Sequence, residues 1–306
     1  VSNSTFSDSS LGAALYAEGN LTVSNSTFEN LTSTSGGTAI YVSNNSETLI
    51  ADSTITNNQA TGQASGGAVK ARGALTISMS TFDSNVAGDQ GGAILSENPA
   101  IIVNSTFAGN SAMTGAAVVF GEGGVLSNST FWNNGDTDTF SIDVGSGISF
   151  FGNILANDSS DTVKLFEPER AIVDLGANLY TDTSFDDTTS GVGSSELVTA
   201  EQLKLSALSL NQTEPASPGT TETVAISTDS IAYDFYAADS PGINPTFDGE
   251  LSSVLAEYDQ RGAARPFGAG FDVGAFESGD TPDPEPTEET EKENLADTGL
   301  PTDAGY

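Results

Sequence analysis

A six-residue phrase with an apolar residue at each end returns six times in the first 131 residues of the chain. The copies end at Phe6, Phe28, Ile55, Phe82, Phe107 and Phe131, which lie 22, 27, 27, 25 and 24 residues apart. Between copies a second landmark recurs, Ala followed by an aliphatic residue, often after Gly-Gly as at 66–69 and 91–94. A period of this length indicates a repeat architecture in which each unit stacks on its neighbours.

The two apolar ends of each phrase are five residues apart, as in Val23 and Phe28. Side chains alternate between the two faces of a strand, so two inward residues on one strand should differ by an even number. The odd interval therefore predicts a corner, which Ser24, Asn25 and Ser26 can form because Ser and Asn hydrogen-bond their own backbone in turns. We predict an all-β parallel β-helix with three sheets and coils of 22–27 residues, about 4.8 Å apart.

Stacking places equivalent residues of successive coils in columns. The apolar residues that end the phrases should form an inward column made mostly of phenylalanines. An asparagine follows three residues later in four of the copies, at Asn58, Asn85, Asn110 and Asn134. We predict that their amides bond from coil to coil as an asparagine ladder.

Two motifs resemble known families. The pairing of GGAI with FxxN, as in FDSN at 82–85 and FAGN at 107–110, resembles the repeats of chlamydial polymorphic outer-membrane proteins, which are β-helical surface adhesins. YDQRGAARPFGAGFDVGAFE at 258–277 resembles the closing segment of secreted bacterial choice-of-anchor β-helix proteins, and GANLYTD at 176–182 is also similar to that family. The resemblance implies a right-handed β-helix that is exported from a bacterium and anchored outside the cell.

The 258–277 segment is predicted to be a C-terminal cap. The end of a β-helix exposes unpaired strand edges, which must be covered. Charge-assisted hydrogen bonds are expected to lock the cap. The residues that we expect to make them are Asp259, Arg261, Arg265, Asp272 and Glu277. An anion-binding site at the two arginines is the functional alternative.

The composition excludes several classes of function. The chain has 42 acidic residues against 8 basic ones, a formal net charge of −34. Nucleic acid and anionic membrane surfaces are therefore not expected partners, since both need clustered Lys and Arg. With no Cys and no His, a Cys–His pair, a Ser–His–Asp triad and a His-ligated zinc site are all excluded. No apolar stretch is long enough to predict a membrane span.

The sequence divides into three regions. Residues 1–160 form the repeated coils, and residues 161–278 form irregular terminal coils with the cap. Residues 279–306 are acidic and rich in Pro, and we expect them to be a disordered linker.

The tail contains LADTG, which resembles a sortase signal, with Leu295, Thr298 and Gly299 at the matching positions. The resemblance implies sortase and the cell wall as partners; a linker that matches by chance is the alternative. Because the chain starts inside a repeat, we expect it to be part of something longer.

One outward face gathers residues suited to sugars. Stacking should bring together Tyr16, Tyr41, Lys70, Arg72 and Glu97, which lie one or three residues past the second landmark. Tyrosine rings can stack on a sugar, and the two cations can neutralise a uronate. An exposed face with an ordinary Arg72–Glu97 surface pair is the alternative.

No residue is assigned a catalytic role. Hydrolases of the polygalacturonase type resemble this fold, but they use aspartates with a His that this chain lacks. No metal site or other cofactor is predicted. Calcium remains open: Asp136, Asp138 and Asp143, or Asp158 and Asp161, could bind Ca²⁺. They lack a fixed spacing, and solvated acidic side chains in loops are the alternative.

The sequence therefore favours an exported bacterial cell-surface protein with an adhesive or structural, non-enzymatic role. Its partner would be an extracellular polysaccharide or a host or neighbouring surface. One alternative is a carbohydrate-active β-helix, similar to a polysaccharide lyase, that binds or cleaves an acidic glycan. The other is a passive spacer stalk.

Overall fold

The computed structural model of this protein describes residues 1–10, 12–43, 46–135, 141–145, 147–157, 163–165, 172–184, 189–191, 195–211, 221–237 and 258–279. Short strands stack in parallel into three long sheets, which the chain visits in turn as it winds round one interior. The parallel β-helix predicted from the repeats is confirmed.

Sheet 1 contains the strands around the inward residue that ends each phrase. They are Thr5–Ser7, Thr27–Glu29, Thr54–Thr56, Thr81–Asp83, Thr106–Ala108, Thr130–Trp132, Ile154–Ala156, Leu179–Tyr180 and Glu196–Leu197. Sheet 2 contains the strands at the second landmark. They are Leu15–Ala17, Ile40–Val42, Val69–Ala71, Ile94–Ser96, Val118–Phe120, Ile142–Val144 and Val163–Leu165.

Sheet 3 contains the strands that begin each phrase. They are Leu21–Ser24, Thr48–Ala51, Leu75–Ser78, Ala100–Val103, Gly124–Ser127, Ile148–Phe151, Ile172–Asp174 and Thr189–Gly191. A short parallel sheet follows sheet 1 in three coils, with strands Thr32–Ser33, Gln59–Ala60 and Val86–Ala87. Two antiparallel pairs join Leu208–Ser209 to Thr223–Val224 and Tyr236–Ala237 to Gly270–Phe271. One turn of α-helix spans Ala200–Leu203.

The inward column of sheet 1 forms the centre of the hydrophobic core. Phe82 pairs in register with Phe107, and Phe107 with Phe131. Their rings are stacked, with centroids 4.9 Å and 4.6 Å apart. All three are fully buried. The column continues past the six copies of the phrase, through Leu155 to Tyr180.

A column of buried serines explains the polar middle of the phrase. The Ser53 hydroxyl donates to the Ala51 carbonyl at 2.7 Å and accepts the Ser26 backbone N–H of the preceding coil at 3.2 Å. The same two bonds recur along the column, which consists of Ser26, Ser53, Ser80, Ser105 and Ser129. The residue before each serine has a left-handed backbone, as at Asn25 (φ 45°), a conformation that Asn tolerates well. The phrase thus encodes a turn, a polar column and an inward ring.

The asparagines three residues beyond the inward column bond to one another. Asn58 Nδ2 donates to Asn85 Oδ1 at 2.9 Å, Asn85 to Asn110 at 3.0 Å, and Asn110 to Asn134 at 2.8 Å. Each Nδ2 also donates to a backbone carbonyl of the preceding coil, as Asn58 does to Phe28 at 3.1 Å. These amides are almost completely buried, so this bonding offsets the cost of their removal from water.

A second hydrophobic core lies on the outside of sheet 1. Its coil residues include Phe151, Ile154 and Leu179. They pack against the flank segment, our name for the described residues of 199–279, which supplies Leu203, Ile226, Ala232, Tyr236, Phe271, Val273 and Phe276.

The position predicted for the 258–277 segment is corrected by the structure. Instead of covering the end of the coils, it lies along their side, against the outward threonines of sheet 1. Gln260 Nε2 donates to Thr81 Oγ1 at 2.8 Å, and Thr106 Oγ1 donates to Gln260 Oε1 at 2.6 Å. The Ala275 N–H donates to Thr130 Oγ1 at 3.0 Å. The apolar outer face of sheet 1 around Ile154 supplies the physical reason, since it needs cover as much as a strand edge does.

Candidate glycan-binding face

Three consecutive coils place Tyr16, Tyr41 and Lys70 side by side on sheet 2. Tyr16 pairs in register with Tyr41, and Tyr41 with Lys70. Since the neighbours of these residues, such as Ile40 and Val69, point into the core, the three side chains point outward. Arg72 directly follows the strand that holds Lys70, and Glu97 directly follows the paired strand of the next coil. We call Tyr16, Tyr41, Lys70, Arg72 and Glu97 the sheet 2 face.

The aromatic part of the sheet 2 face is continuous with its cations. The rings of Tyr16 and Tyr41 meet edge to face, with centroids 5.5 Å apart. The Arg72 guanidinium lies over the Tyr41 ring, 5.8 Å from its centroid. The Tyr16 ring is 58% exposed, and its hydroxyl donates to Glu18 at 3.2 Å. An exposed tyrosine therefore leads through a second aromatic ring to a positive charge.

Glu97 pairs with both cations through the same oxygen. Its Oε1 lies 3.7 Å from Lys70 Nζ and 3.4 Å from Arg72 Nε. The side chains are 40% exposed for Glu97, 21% for Lys70 and 46% for Arg72. Pairs this accessible to water contribute about 0–1 kcal/mol each to stability. The surface pair expected from the sequence is present, and it extends to Lys70.

Glycines at the second landmark support the Lys70 side chain. A methyl group on Gly37 would lie 3.1 Å from the Lys70 Cβ and 2.6 Å from the Ile40 carbonyl oxygen. On Gly36 it would lie 1.7 Å from the Ser65 carbonyl oxygen. Because Gly36 and Gly37 have no side chain, their backbone can pass close to the Lys70 side chain of the next coil. Sequence reasoning noted this pair as a landmark but missed its contribution to the face.

The exposed outward file of the sheet 2 face ends at Lys70 on the third coil, and the fourth coil adds Glu97 beside it. Leu95 and Val119 continue the outward file in register with Lys70, but both are buried. Gly115 lies against this part of the sheet, so a methyl group there would meet the Val119 side chain at 2.5 Å. The next residue of the file, Asp143, is fully buried. A ligand on the outward file would thus contact three coils, from Tyr16 to Lys70.

The two arginines of 258–277, Arg261 and Arg265, bind other residues of the flank segment. Arg261 donates to Asp259 Oδ2 from Nη2 at 2.6 Å and to the Glu277 carbonyl at 2.5 Å, and it covers the Phe276 ring at 3.8 Å. Arg265 donates to the carbonyls of Asp272 and Gly274 at 3.0 and 2.6 Å. Its Nη1 also lies 3.6 Å from Glu277 Oε2. Both arginines are buried, an arrangement that favours the locking role over anion binding.

Two buried carboxyl groups lie close to Arg265. Burial raises the pKa of Glu277 to about 7, an effect that Arg265 opposes and Asp272 reinforces. Burial raises the pKa of Asp272 to about 6, against the effect of backbone hydrogen bonds from Ser278 and Asp234 and of Arg265. A raised folded-state pKa means that the folded protein holds the proton more tightly than the unfolded chain does. The contribution of these two groups to stability therefore falls as pH rises from about 4 to 7.

We expect the Glu277 carboxyl to titrate with a midpoint near pH 7. The measurement is a carbon-13 NMR titration of protein labelled at glutamate side chains, with the resonance assigned by its loss in Glu277→Gln. The labelled Glu277→Gln protein is the control, since it lacks this titrating carboxyl. A midpoint below pH 5 for Glu277 would contradict the conclusion that burial raises the pKa of this carboxyl.

The remaining predicted residues lie outside the described part of the chain or form no site. Within the described residues, no group of three or more acidic side chains is placed to hold a metal ion. Four of the calcium candidates, Asp136, Asp138, Asp158 and Asp161, lie outside the described residues. So do the sorting residues Leu295, Thr298 and Gly299 and the tail from 280 onward. Calcium binding and sortase cleavage stay predictions.

A family model described as the right-handed beta helix region matches residues 1–88 and 40–185. The two matches together span 1–185 of the 306 residues, more than half of the chain. The chain belongs to the right-handed β-helix family. Family membership confirms the handedness that the resemblance implied, and it places the whole sheet 2 face of this β-helix within the matched residues.

Other comparisons add no relative with a stated function. No curated protein and no solved structure matches this β-helix. Across its described residues, no helix has the length and apolar character needed to cross a membrane. The function must therefore be argued from the sheet 2 face itself.

Proposed function

We propose that this β-helix is an exported cell-surface protein that adheres to an acidic polysaccharide through the sheet 2 face without cleaving it. One observation carries the proposal: two tyrosine rings and two cations lie together on consecutive coils of a chain whose net charge is −34. A protein with so many acidic residues repels anions over most of its surface, so binding of an acidic polymer needs a local pair of cations such as Lys70 and Arg72.

The chemistry of the face fits a uronate-containing chain. Sugar rings present C–H groups that pack on aromatic faces, and the exposed Tyr16 ring offers such a face beside Tyr41. The guanidinium of Arg72 can bind a carboxylate through two parallel hydrogen bonds, while Lys70 adds a point charge. Because equivalent residues on successive coils are about 4.8 Å apart, an extended polymer can follow the axis of the β-helix across the face.

The openness of the face favours binding over catalysis. Acid–base catalysis gains most where water is excluded and the reacting groups are held in place. Tyr16 and the Arg72 side chain are instead 58% and 46% exposed to water. Export and anchoring are supported by the resemblance of 258–277 to choice-of-anchor proteins, and attachment to the wall would use Thr298.

The test compares binding of polygalacturonate, alginate and a neutral glucan by the wild type, Arg72→Ala and Lys204→Ala. Lys204 is the matched control, since it is a partly exposed cation paired with Asp229 on the flank segment. We expect the wild type to prefer an acidic polymer, Arg72→Ala to bind about tenfold more weakly, and Lys204→Ala to bind within twofold of the wild type. Equal losses in both variants, or no binding by the wild type, would overturn the proposal.

The same mixtures test the enzymatic alternative. New reducing ends, or products that absorb at the wavelength of an unsaturated uronate, would reveal a lyase and contradict the non-enzymatic reading. Absence of binding and of cleavage across the panel would instead favour a passive spacer.

A further inference from the structure

Glu97 occupies the position where the carboxylate of a ligand would bind. Its Oε1 lies within ion-pair distance of both Lys70 Nζ and Arg72 Nε, so one carboxylate oxygen pairs with both cations of the sheet 2 face. Arg72 also lies over Tyr41, next to the ring on which a sugar would stack. The charged and aromatic parts of the face therefore meet at the point that Glu97 now covers.

Stability gives little reason for this arrangement. The three charged side chains are between 21% and 46% exposed, and pairs of this kind contribute little to folding. Coil stacking at this level is already secured by the backbone pairing of Val69–Ala71 with Ile94–Ser96. A carboxylate held loosely on two cations can be displaced at low cost by another carboxylate.

We infer that Glu97 is an internal competitor that a uronate carboxylate must displace from Lys70 and Arg72 when an acidic glycan binds. This inference rests on the proposed function and adds the ligand class and a source of selectivity. A neutral sugar can contact the tyrosines but cannot replace Glu97 on the cations. An acidic sugar exchanges one carboxylate for another and gains the aromatic contact as well.

The test measures the affinity of the wild type, Glu97→Gln and Glu18→Gln for hexagalacturonate and for a neutral hexasaccharide of glucose. Glu18 is the matched control because it carries the same charge on the same side of the β-helix and accepts a hydrogen bond from Tyr16. Both substitutions remove one negative charge, so a general electrostatic effect should be similar in the two variants.

We expect Glu97→Gln to bind hexagalacturonate about three- to tenfold more tightly than the wild type, with no change for the neutral hexasaccharide. Glu18→Gln should change the affinity by less than twofold. The inference is overturned if Glu97→Gln binds no more tightly than the wild type, or if Glu18→Gln gains as much.

The outcomes separate the two proposals. If the wild type binds hexagalacturonate and Glu97→Gln gains nothing, adhesion through the face stands and the competitor role fails. If neither the wild type nor Glu97→Gln binds, both proposals fail.

Discussion

Phe107→Ala is expected to lower the free energy of unfolding by about 4 kcal/mol. Phe107 is fully buried, and its ring lies between those of Phe82 and Phe131. Truncation removes both stacked contacts and leaves a cavity that neighbouring coils cannot fill, since their backbones are fixed by parallel pairing on each side. Urea unfolding followed by circular dichroism measures the loss.

Phe267→Ala provides the matched control, because it deletes the same ring at a site on the flank segment that is 41% exposed. We expect it to cost about 1 kcal/mol or less, as for most partly exposed positions. Similar losses in the two variants would show that the inward column contributes no more than a surface ring.

Asn110→Ala is expected to lower the free energy of unfolding by about 3 kcal/mol, because two or more buried polar groups lose their partner. Asn110 Oδ1 accepts the backbone N–H and the Nδ2 of Asn85, each at 3.0 Å. Its Nδ2 donates to the Phe82 carbonyl at 2.9 Å and to Asn134 Oδ1 at 2.8 Å. Alanine can replace none of these bonds, and the site has no access to water.

Asn20→Ala is the control for the ladder. Asn20 Oδ1 accepts the Glu47 N–H of the next coil at 3.1 Å, but it does so at the exposed surface. Water can replace this bond, so we expect a loss of less than about 1 kcal/mol in the same urea titration. A loss for Asn110→Ala no larger than that for Asn20→Ala would contradict the importance of the buried ladder.

The coils could be predicted because their determinants are local and repeat. The odd interval between Val23 and Phe28 required a corner, and the spacing of Asn58 and Asn85 placed their amides on successive coils. The register of Tyr41 against Lys70 followed from the same alignment. Each of these statements compares equivalent positions one coil apart.

The position of the flank segment could not be predicted in this way, because its contacts with the coils join residues far apart in sequence. Gln260 bonds to Thr81 across 179 positions, and no repeat marks that pairing. The threonine before each inward residue was visible in the phrase, but an outward threonine fits an open surface as well as a covered one. The 258–277 motif likewise indicated a closing segment without specifying which surface it closes.

The sheet 2 face was only partly predictable. Its membership followed from stacking, whereas the pairing of Lys70 with Glu97 depends on rotamers that sequence does not fix. Burial of Leu95 depends on the loops that pass over the sheet, which vary in length between coils. The number of coils over which the outward residues stay exposed could therefore not be predicted from the sequence.

The most direct test of the central claim locates the glycan on the protein. The 7 tyrosines can be labelled with carbon-13 in their rings, and the resonances of Tyr16 and Tyr41 assigned from Tyr→Phe variants. On addition of hexagalacturonate, we predict shifts for Tyr16 and Tyr41 and none for Tyr236, which is buried in the second core. Binding that leaves Tyr16 and Tyr41 unmoved would contradict the assignment of the sheet 2 face as the adhesive site.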